Sequence, residues 1–401
     1  MSIFSESKTF VLGELVAKTI PFLLLPYLTR SLGAEGYGLL SYYQVFVILL
    51  AIPIGLSQQA ALLKYYFKYG ERSIDLIYRA GLILSVVIAT PLLVVAIVSK
   101  SIILFYIVIT ALVQILLAVQ LSVRQFQKRG KQYFYIQFVA ATSSVLLTIV
   151  LFELLPPSFE NRMLAILLAN LIAAMIGRIF ADVPVRRYSL SRYKLAWKYI
   201  FFFGGPLILN QLSFISKGQI DKIFLYANFD AKFLGIYSLA FQIASIYTIL
   251  LAAITAGTLP HFFEYLKTKN DAMFVNKLSF YSFLAALGPF FISLLIPDYL
   301  FSWFLGGSFD EVGYYISVFL LGIGLTVPYL INTQYLVYHG RNYEVSIGGI
   351  ISAAIHIFFI WWVIEFDLRK SLIPFALVFS NLVMLGCVVY FTFKQQKRSS
   401  L

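Results

Sequence analysis

The chain has 401 residues, of which 60% are hydrophobic and only 12% charged. A soluble domain carries about 25% charged residues, so this chain holds more apolar surface than it can bury in itself, and lipid must cover part of it. The net charge of +13 is spread along the chain, with no soluble basic domain, which excludes a nucleic-acid binder. A single cysteine, Cys387, excludes an internal disulfide, and His261, His339 and His356 show no ligand spacing, so no metal site is expected.

Runs such as Leu82–Val98 and Phe283–Ile296 are continuously apolar, unlike the alternating strands of a membrane barrel. The expected fold is therefore an all-α integral membrane bundle of about twelve helices, each near the ~20 residues that cross a bilayer. In chain order the spans are Phe10–Thr29, Leu39–Leu62, Ile77–Val98, Ile102–Val123, Tyr133–Leu155 and Met163–Ala181. They continue with Tyr199–Ile220, Phe233–Leu259, Leu278–Ile296, Val312–Tyr338, Val345–Ile364 and Leu372–Phe393. Pro156-Pro157 and Pro297 mark loops, whereas Pro21, Pro26, Pro53, Pro206 and Pro328 fall within spans and predict kinks.

Basic residues concentrate on every second loop. With the N-terminus in the cytoplasm, the inside segments hold Lys64, Lys68, Arg72 and Arg79, then Arg124, Lys128, Arg129 and Lys131, then Arg178 and the cluster from Arg186 to Lys198. Lys267, Lys269, Lys277, Arg341, Lys394, Lys397 and Arg398 continue the series. Only Arg30, Lys100, Arg162, Lys232, Arg369 and Lys370 fall outside. The bias never swaps sides, so the positive-inside rule supports an even helix count and two cytoplasmic termini. The longest inside loop, Asp182–Lys198, divides the chain into a lobe of residues 1–187 and a lobe of residues 188–401, each with six helices. Its basic and aromatic string, VPVRRYSLSRYKLAWK, reads as a connector against anionic headgroups in preference to a regulatory partner site.

A repeat supports this division. AEGYGLLS at Ala34–Ser41 overlies AKFLGIYS at Ala231–Ser238, with Ala34/Ala231, Gly38/Gly235 and Ser41/Ser238 identical. Each segment joins the first two helices of its half. Halves with an even number of helices repeat in parallel about an axis along the membrane normal, and such bundles bind substrate near mid-membrane.

Ionisable groups inside lipid cost roughly 2.5–3.5 kcal/mol on insertion scales, so they are functional suspects. Glu14 and Lys18 share a face of the first helix at i, i+4, and Lys217 and Asp221 do the same in the seventh, with Lys222 adjacent. As the two helices head the two lobes, both faces are candidates to line one central cavity. The competing reading of each pair is a salt bridge that eases insertion, and Asp221 and Lys222 also suit a cap near the end of their span. Among the polar amides, Asn210-Gln211 and Asn332-Thr333-Gln334 are clustered and suit sugar hydroxyls, while scattered ones such as Gln44, Gln58 and Gln114 suit helix–helix contacts. Arg79, Arg124 and Arg178 read as topology anchors or as a cationic vestibule for a phosphate-bearing headgroup. No Walker motif and no hydrolytic set is present. Transport would therefore draw on a gradient or on substrate flow, with no cofactor and with Glu14 and Asp221 as candidate sites of proton or cation coupling.

The string PFLLLPYLTRSLGAEGYGLLSY at Pro21–Tyr42 resembles the opening of the polysaccharide-biosynthesis exporters, notably the O-antigen flippases. These belong to the multidrug/oligosaccharidyl-lipid/polysaccharide exporter superfamily. Their L-G-x-E-x-Y-G turn has its counterpart at Leu32-Gly33-Ala34-Glu35-Gly36-Tyr37-Gly38, and the second half repeats the pattern with Asp221-Lys222 followed by Leu234-Gly235-Ile236-Tyr237-Ser238. The resemblance implies two six-helix lobes in a V-shaped, MATE-like arrangement in the bacterial cytoplasmic (inner) membrane. It implies a flippase that turns undecaprenyl-diphosphate-linked oligosaccharide, the precursor of lipopolysaccharide O-antigen or a similar surface polymer, from the inner to the outer leaflet. Lipid-linked oligosaccharide and membrane lipids are the partners implied, with a polysaccharide polymerase and a chain-length regulator as further candidates. The cationic cavity of such a protein would draw here on Lys18, Lys217, Arg178 and Lys222; an arginine cluster like that of the related lipid II flippases has no counterpart. Three other readings remain, one of them a structural scaffold, which would have no wet cavity. A cation-coupled multidrug exporter of the same fold would want an acidic cavity, and a membrane-embedded polysaccharide polymerase would want a large outer domain, but the outer loops are short.

Overall fold

The computed structural model describes residues 3–70, 73–180, 187–269, 272–307, 309 and 311–399. Helix is the only regular structure among the described residues, as long apolar runs without water demand. Ten helical segments are long and apolar enough to cross a membrane, which makes this a multi-pass membrane protein. The two expected spans outside that set are Phe10–Thr29 and Tyr199–Ile220. Both are largely helical, but their helices are bounded differently from the expected spans: α1 starts at Ile3 and ends at Leu23, and α8 starts at Leu190 and ends at Ile215.

The chain packs as two units. The first comprises Met1–Leu32 and Leu39–Phe214, the second Gly33–Gly38 and Ile215–Leu401. The first holds α1 (Ile3–Leu23), α2 (Leu25–Gly55), α3 (Gln58–Tyr69) and α4 (Ile74–Val98). It continues with α5 (Ile102–Phe126), α6 (Gly130–Leu154), α7 (Phe159–Ile179) and α8 (Leu190–Ile215). Helix α6 packs on α1 and α7, and α5 packs on α3, α4 and α7. Ser101 and Ser158 set the starts of α5 and α7 by accepting from the backbone N–H of Leu104 at 3.3 Å and of Asn161 at 3.2 Å. Between α2 and α3 the chain breaks at Leu56 and Ser57, both in the left-handed region. The carbonyl of Ile54 thereby loses its helical donor, and the Ser85 hydroxyl of α4 replaces it at 2.8 Å while accepting from Gln58 Nε2 at 2.8 Å. Gln58 is thus helix glue.

The basic, aromatic string after α7 lies partly outside the described residues, but its described part has a clear role. Tyr188 donates to both oxygens of Asp75 at 2.6 and 2.7 Å. Trp197 Nε1 donates to the Ala80 carbonyl at 3.0 Å, and Ala196 and Ile200 enter the core formed by α3, α4 and α5. The aromatic half of the string therefore clamps α8 onto the first unit. Arg124 and Arg162 are also interior: Arg124 donates to the Gly177 carbonyl at 2.9 Å and Arg162 to Ser144 Oγ at 3.0 Å.

The second unit begins with a five-residue π-helical turn, Ser216–Ile220, followed by α9 (Asp221–Asn228), α10 (Ala231–Ala244), α11 (Ile246–Lys269) and α12 (Ala272–Ala286). It continues with α13 (Gly288–Leu294), α14 (Asp298–Leu305), α15 (Val312–Gly324) and α16 (Thr326–Tyr338). It ends with α17 (Asn342–Glu365), a 3₁₀ turn at Lys370–Leu372 and α18 (Phe375–Ser399). Helix α18 packs on α15, α16 and α17, and α15 on α10 and α13.

The two repeated segments meet inside this second unit. The L-G-x-E-x-Y-G motif is a kink within α2 rather than a loop: Gly33 has φ 65° and ψ −179° between helical stretches. Beyond the kink, Gly38 lies so close to α10 that an added Cβ would sit 1.9 Å from the Ala231 carbonyl oxygen. A Cβ on Gly235 would likewise sit 1.9 Å from the Ala34 carbonyl oxygen. The contact is reciprocal, each glycine leaving room for the carbonyl of the other copy's first residue, so the Ala/Gly identities of the repeat are contact residues. Tyr37 closes the crossing with a hydrogen bond to Gln242 Oε1 and an edge contact to Phe309. Gly38→Ala or Gly235→Ala should each cost about 1–3 kcal/mol by overpacking against rigid backbone. Thermal unfolding in detergent checks this, with Gly386→Ala, where a Cβ meets nothing within 4 Å, as the control expected to melt like the parent.

Candidate functional site

The second unit opens with a conformational break, and the break builds a polar cluster. Lys217 (φ −84°, ψ 123°) and Gly218 (φ 81°, ψ −2°) leave the helical region within the π turn. Gly218 is required twice over: its φ is strained for any side chain, and a Cβ there would lie 2.7 Å from the Phe241 ring. The break turns the Gly218 N–H toward Asp221, whose Oδ1 accepts it at 3.2 Å. The same Oδ1 lies 2.9 Å from His356 Nε2 of α17, and Oδ2 accepts from the Tyr237 hydroxyl of α10 at 2.7 Å. Asp221 and His356 are each only 1% exposed, so this pairing is fully interior.

Lys217 takes a different route. Its ammonium donates to the Ser352 hydroxyl and, at 3.2 Å, to Asn381 Oδ1, with Met384 Sδ at 3.8 Å. Ser352 and His356 stand one helical turn apart on α17, so one face of that helix receives both Lys217 and Asp221. From α18, Ser380 Oγ lies 3.4 Å from His356 Nδ1 and donates to the Leu377 carbonyl at 3.1 Å, while Asn381 Nδ2 donates to the Gly322 carbonyl of α15 at 2.8 Å. Seven polar side chains from five segments thus satisfy one another in an apolar interior, as buried polar groups must.

This arrangement corrects two expectations. Lys217 and Asp221 form no ion pair with each other despite their i, i+4 spacing, because the π turn takes them off a common helical face; the carboxylate's ionic partner is His356. Asp221 is not an exposed cap near a span end but the buried centre of the cluster. Lys222, the next residue, is half-buried. His356 escaped the sequence reading because its carboxylate partner, Asp221, lies 135 positions away, and its i−4 neighbour, Ser352, is too common a residue to signal a site.

The remaining candidates are distributed as follows. In the first unit, Glu14 and Lys18 are both exposed on α1 and form no ion pair with each other. Glu14 instead accepts from the Tyr133 hydroxyl and from Gln137 Nε2 at 3.4 Å, both on α6. Arg178 is exposed at the end of α7. Gln44, Thr110 and Gln114 line a cavity of about 250 Å³ in this unit. In the neighbouring part of the chain, the Asn210 side chain lies outside the described residues and Gln211 is exposed. In the second unit, Asn332 is buried and donates to Ser279 Oγ of α12 at 2.7 Å and to the Pro328 carbonyl of its own helix at 2.8 Å, which occupies both of its N–H groups. Gln334 is one of few polar residues on a cavity of about 470 Å³ formed with Leu251, Ile254, Phe262 and Leu278. Among the described residues no group of three metal-ligating side chains occurs.

The fold is that of the MATE transporters. A multidrug resistance MATE family transporter of the MOP superfamily in its inward-facing conformation superposes with a TM-score of 0.67 at 15% identity, over 96% of this chain and 99% of that one. An outward-facing transporter of the same family gives 0.62 at 15% identity, over 97% and 95% of the two chains. Sequence narrows the assignment. Residues 8–266 match the polysaccharide biosynthesis protein family, and the chain belongs to it. From Haemophilus influenzae, "Lsg locus putative protein 1" is 36% identical over 99% of this chain and 100% of its own length. A second protein of that organism, "Uncharacterized membrane protein", is 38% identical over 89% of each chain.

Removing Asp221 strands three donors at once. Asp221→Ala should lower stability by about 3–5 kcal/mol, the cost of breaking a buried pair, whereas Tyr237→Phe, which deletes one hydrogen bond, should cost about 1 kcal/mol. Melting of the purified variants in detergent measures the order, and equal melting temperatures would contradict the cluster's central role.

Proposed function

We propose that this protein is a flippase that moves undecaprenyl-diphosphate-linked oligosaccharide from the inner to the outer leaflet of a bacterial cytoplasmic membrane. Membership of the polysaccharide biosynthesis family carries the reading, and the transporter fold supports it. A lipid-linked sugar fits the chemistry of the chain. Its diphosphate needs cations, which Lys18 and Arg178 offer as exposed side chains in the first unit, with Lys217 and Lys222 half-buried in the second. Its sugars need amides and hydroxyls, which Gln44, Thr110 and Gln114 offer around a cavity, with Gln211 and Gln334 as further candidates. Its tail stays in the bilayer.

The lipopolysaccharide O-antigen is the substrate the resemblance favours, with a polymerase and a chain-length regulator as the proteins that act on the product. Both termini face the cytoplasm in this reading, as the loop charges direct. Coupling to a proton or cation biases the exchange of states, and Glu14 and Asp221 are the acidic groups assigned to it. A multidrug exporter of the same fold is less well matched, since the intramembrane charges do not form an acidic surface for cationic drugs.

A strain deleted for the gene should lose its surface polymer and accumulate undecaprenyl-diphosphate-linked repeat units, measured by mass spectrometry of extracted lipid. The Lys18→Ala, Lys217→Ala double variant should fail to restore the polymer. Normal polymer and no accumulated intermediate in the deletion strain would overturn the proposal.

A further inference from the structure

His356 has no part in the cation-and-amide chemistry above, yet each of its ring nitrogens faces a polar partner. Its Nε2 faces the Asp221 carboxylate at 2.9 Å, which fixes the hydrogen on Nε2 in the neutral ring. Nδ1 is then an open lone pair, and what faces it is the Ser380 hydroxyl at 3.4 Å. A hydroxyl both donates and accepts. With a neutral ring, Ser380 donates to Nδ1; with a protonated ring, Ser380 accepts from Nδ1–H and turns its own hydrogen to the Leu377 carbonyl, 3.1 Å away. Both forms of the imidazole are satisfied without moving a helix.

The surroundings connect the ring to the backbone break. One oxygen, Asp221 Oδ1, serves both His356 Nε2 and the Gly218 N–H. With the neutral ring, the carboxylate alone carries charge in this hydrogen bond; protonation makes the contact an ion pair and strengthens it further. A proton on the ring therefore draws Oδ1 toward α17 at the expense of Gly218, the residue that holds the π turn at φ 81°. It also places a positive charge one helical turn from Ser352, which holds the Lys217 ammonium.

The other groups facing the ring are few. The π turn and α9 bring Lys217, Asp221 and Lys222, and α10 brings Tyr237 through Asp221. Helix α18 brings Ser380 and Asn381, with its charged residues Lys394, Lys397 and Arg398 at its far end. Helix α16, TVPYLINTQYLVY, carries no charged residue. Helix α17 has Glu344 and Glu365 at its two ends, and the 3₁₀ turn brings Lys370 beyond the second of them.

We propose that His356 is a proton-binding site: it takes up and gives back a proton at Nδ1, and the imidazolium formed loosens the Gly218 turn and releases Lys217 from Ser352. The use of that proton to drive translocation rests on the flippase reading, whereas the protonation itself does not.

The test is ¹⁵N NMR of full-length protein labelled at its three histidines in lipid nanodiscs, with His356→Gln to assign the resonance. The expected result is one ring that passes from the Nε2–H tautomer to the doubly protonated form as the pH is lowered over the range in which the protein stays folded. Ser380→Ala, which removes only the Nδ1 partner, should displace the midpoint, and a pH-dependent change in tryptophan fluorescence should be absent in His356→Gln and kept in His339→Gln. A ring fixed in one form across that range, or a Ser380→Ala midpoint equal to the parent's, overturns the proposal. Should His356→Gln fail to fold, Ser380→Ala still decides. A titrating ring in a protein whose deletion leaves the surface polymer normal would sink the flippase reading and keep the site; a fixed ring in a protein that flips would do the reverse.

Discussion

A carboxylate deprived of water must find its donors in protein, and the second unit is arranged around the three that Asp221 finds. One is a backbone N–H that an unbroken α-helix would have turned elsewhere. The π turn at Ser216–Ile220, with Gly218 in the left-handed region, therefore goes with the carboxylate: the break supplies the donor, and the carboxylate satisfies the break. The other two donors, Tyr237 and His356, tie the start of the unit to α10 and α17. Since α17 carries Ser352 one turn away, the same contact positions the acceptor for Lys217. A charge that is costly in lipid thus fixes four segments in register.

Close backbone approach is the second constraint. Without a strong hydrophobic drive between helices in lipid, small residues that let backbones touch supply the packing. Gly38 and Gly235 do this reciprocally, each against the carbonyl of the opposite repeat copy, and Gly204 does it against the Leu56 carbonyl in the first unit, where a Cβ would sit 1.9 Å away. Those contacts explain two of the three identities of the repeat, the alanine that supplies the carbonyl and the glycine that makes room for it. Polar side chains fill the complementary role where helices break, as Ser85 and Gln58 do for the Ile54 carbonyl.

Much of this was legible in the chain. Apolar runs of bilayer length gave the helices, L-G-x-E-x-Y-G marked the place where α2 bends at Gly33, and the charges at 217 and 221 pointed to the segment that holds the polar cluster. The identity of the partners was not legible, because local spacing describes a regular helix and the seventh span is not one. Lys217 and Asp221 looked paired on helical geometry; a two-residue excursion in φ/ψ sent one to Ser352 and the other to His356. Histidine without ligand spacing looked inert for the same reason: its significance lies in α9 and α18, which the sequence does not place beside it. Asn332, clustered and polar, looked like a sugar contact, yet its amide is occupied by Ser279 and the Pro328 carbonyl.

The proposed flippase activity can be observed without a cell. Proteoliposomes carrying the purified protein and an undecaprenyl-diphosphate-linked oligosaccharide are exposed to a membrane-impermeant glycosidase, and the digested fraction is followed over time. The account predicts that digestion passes beyond the share lying in the outer leaflet and approaches completion, as inner-leaflet molecules are delivered to the surface. Digestion that stops at the outer-leaflet share, as in vesicles without protein, would contradict it.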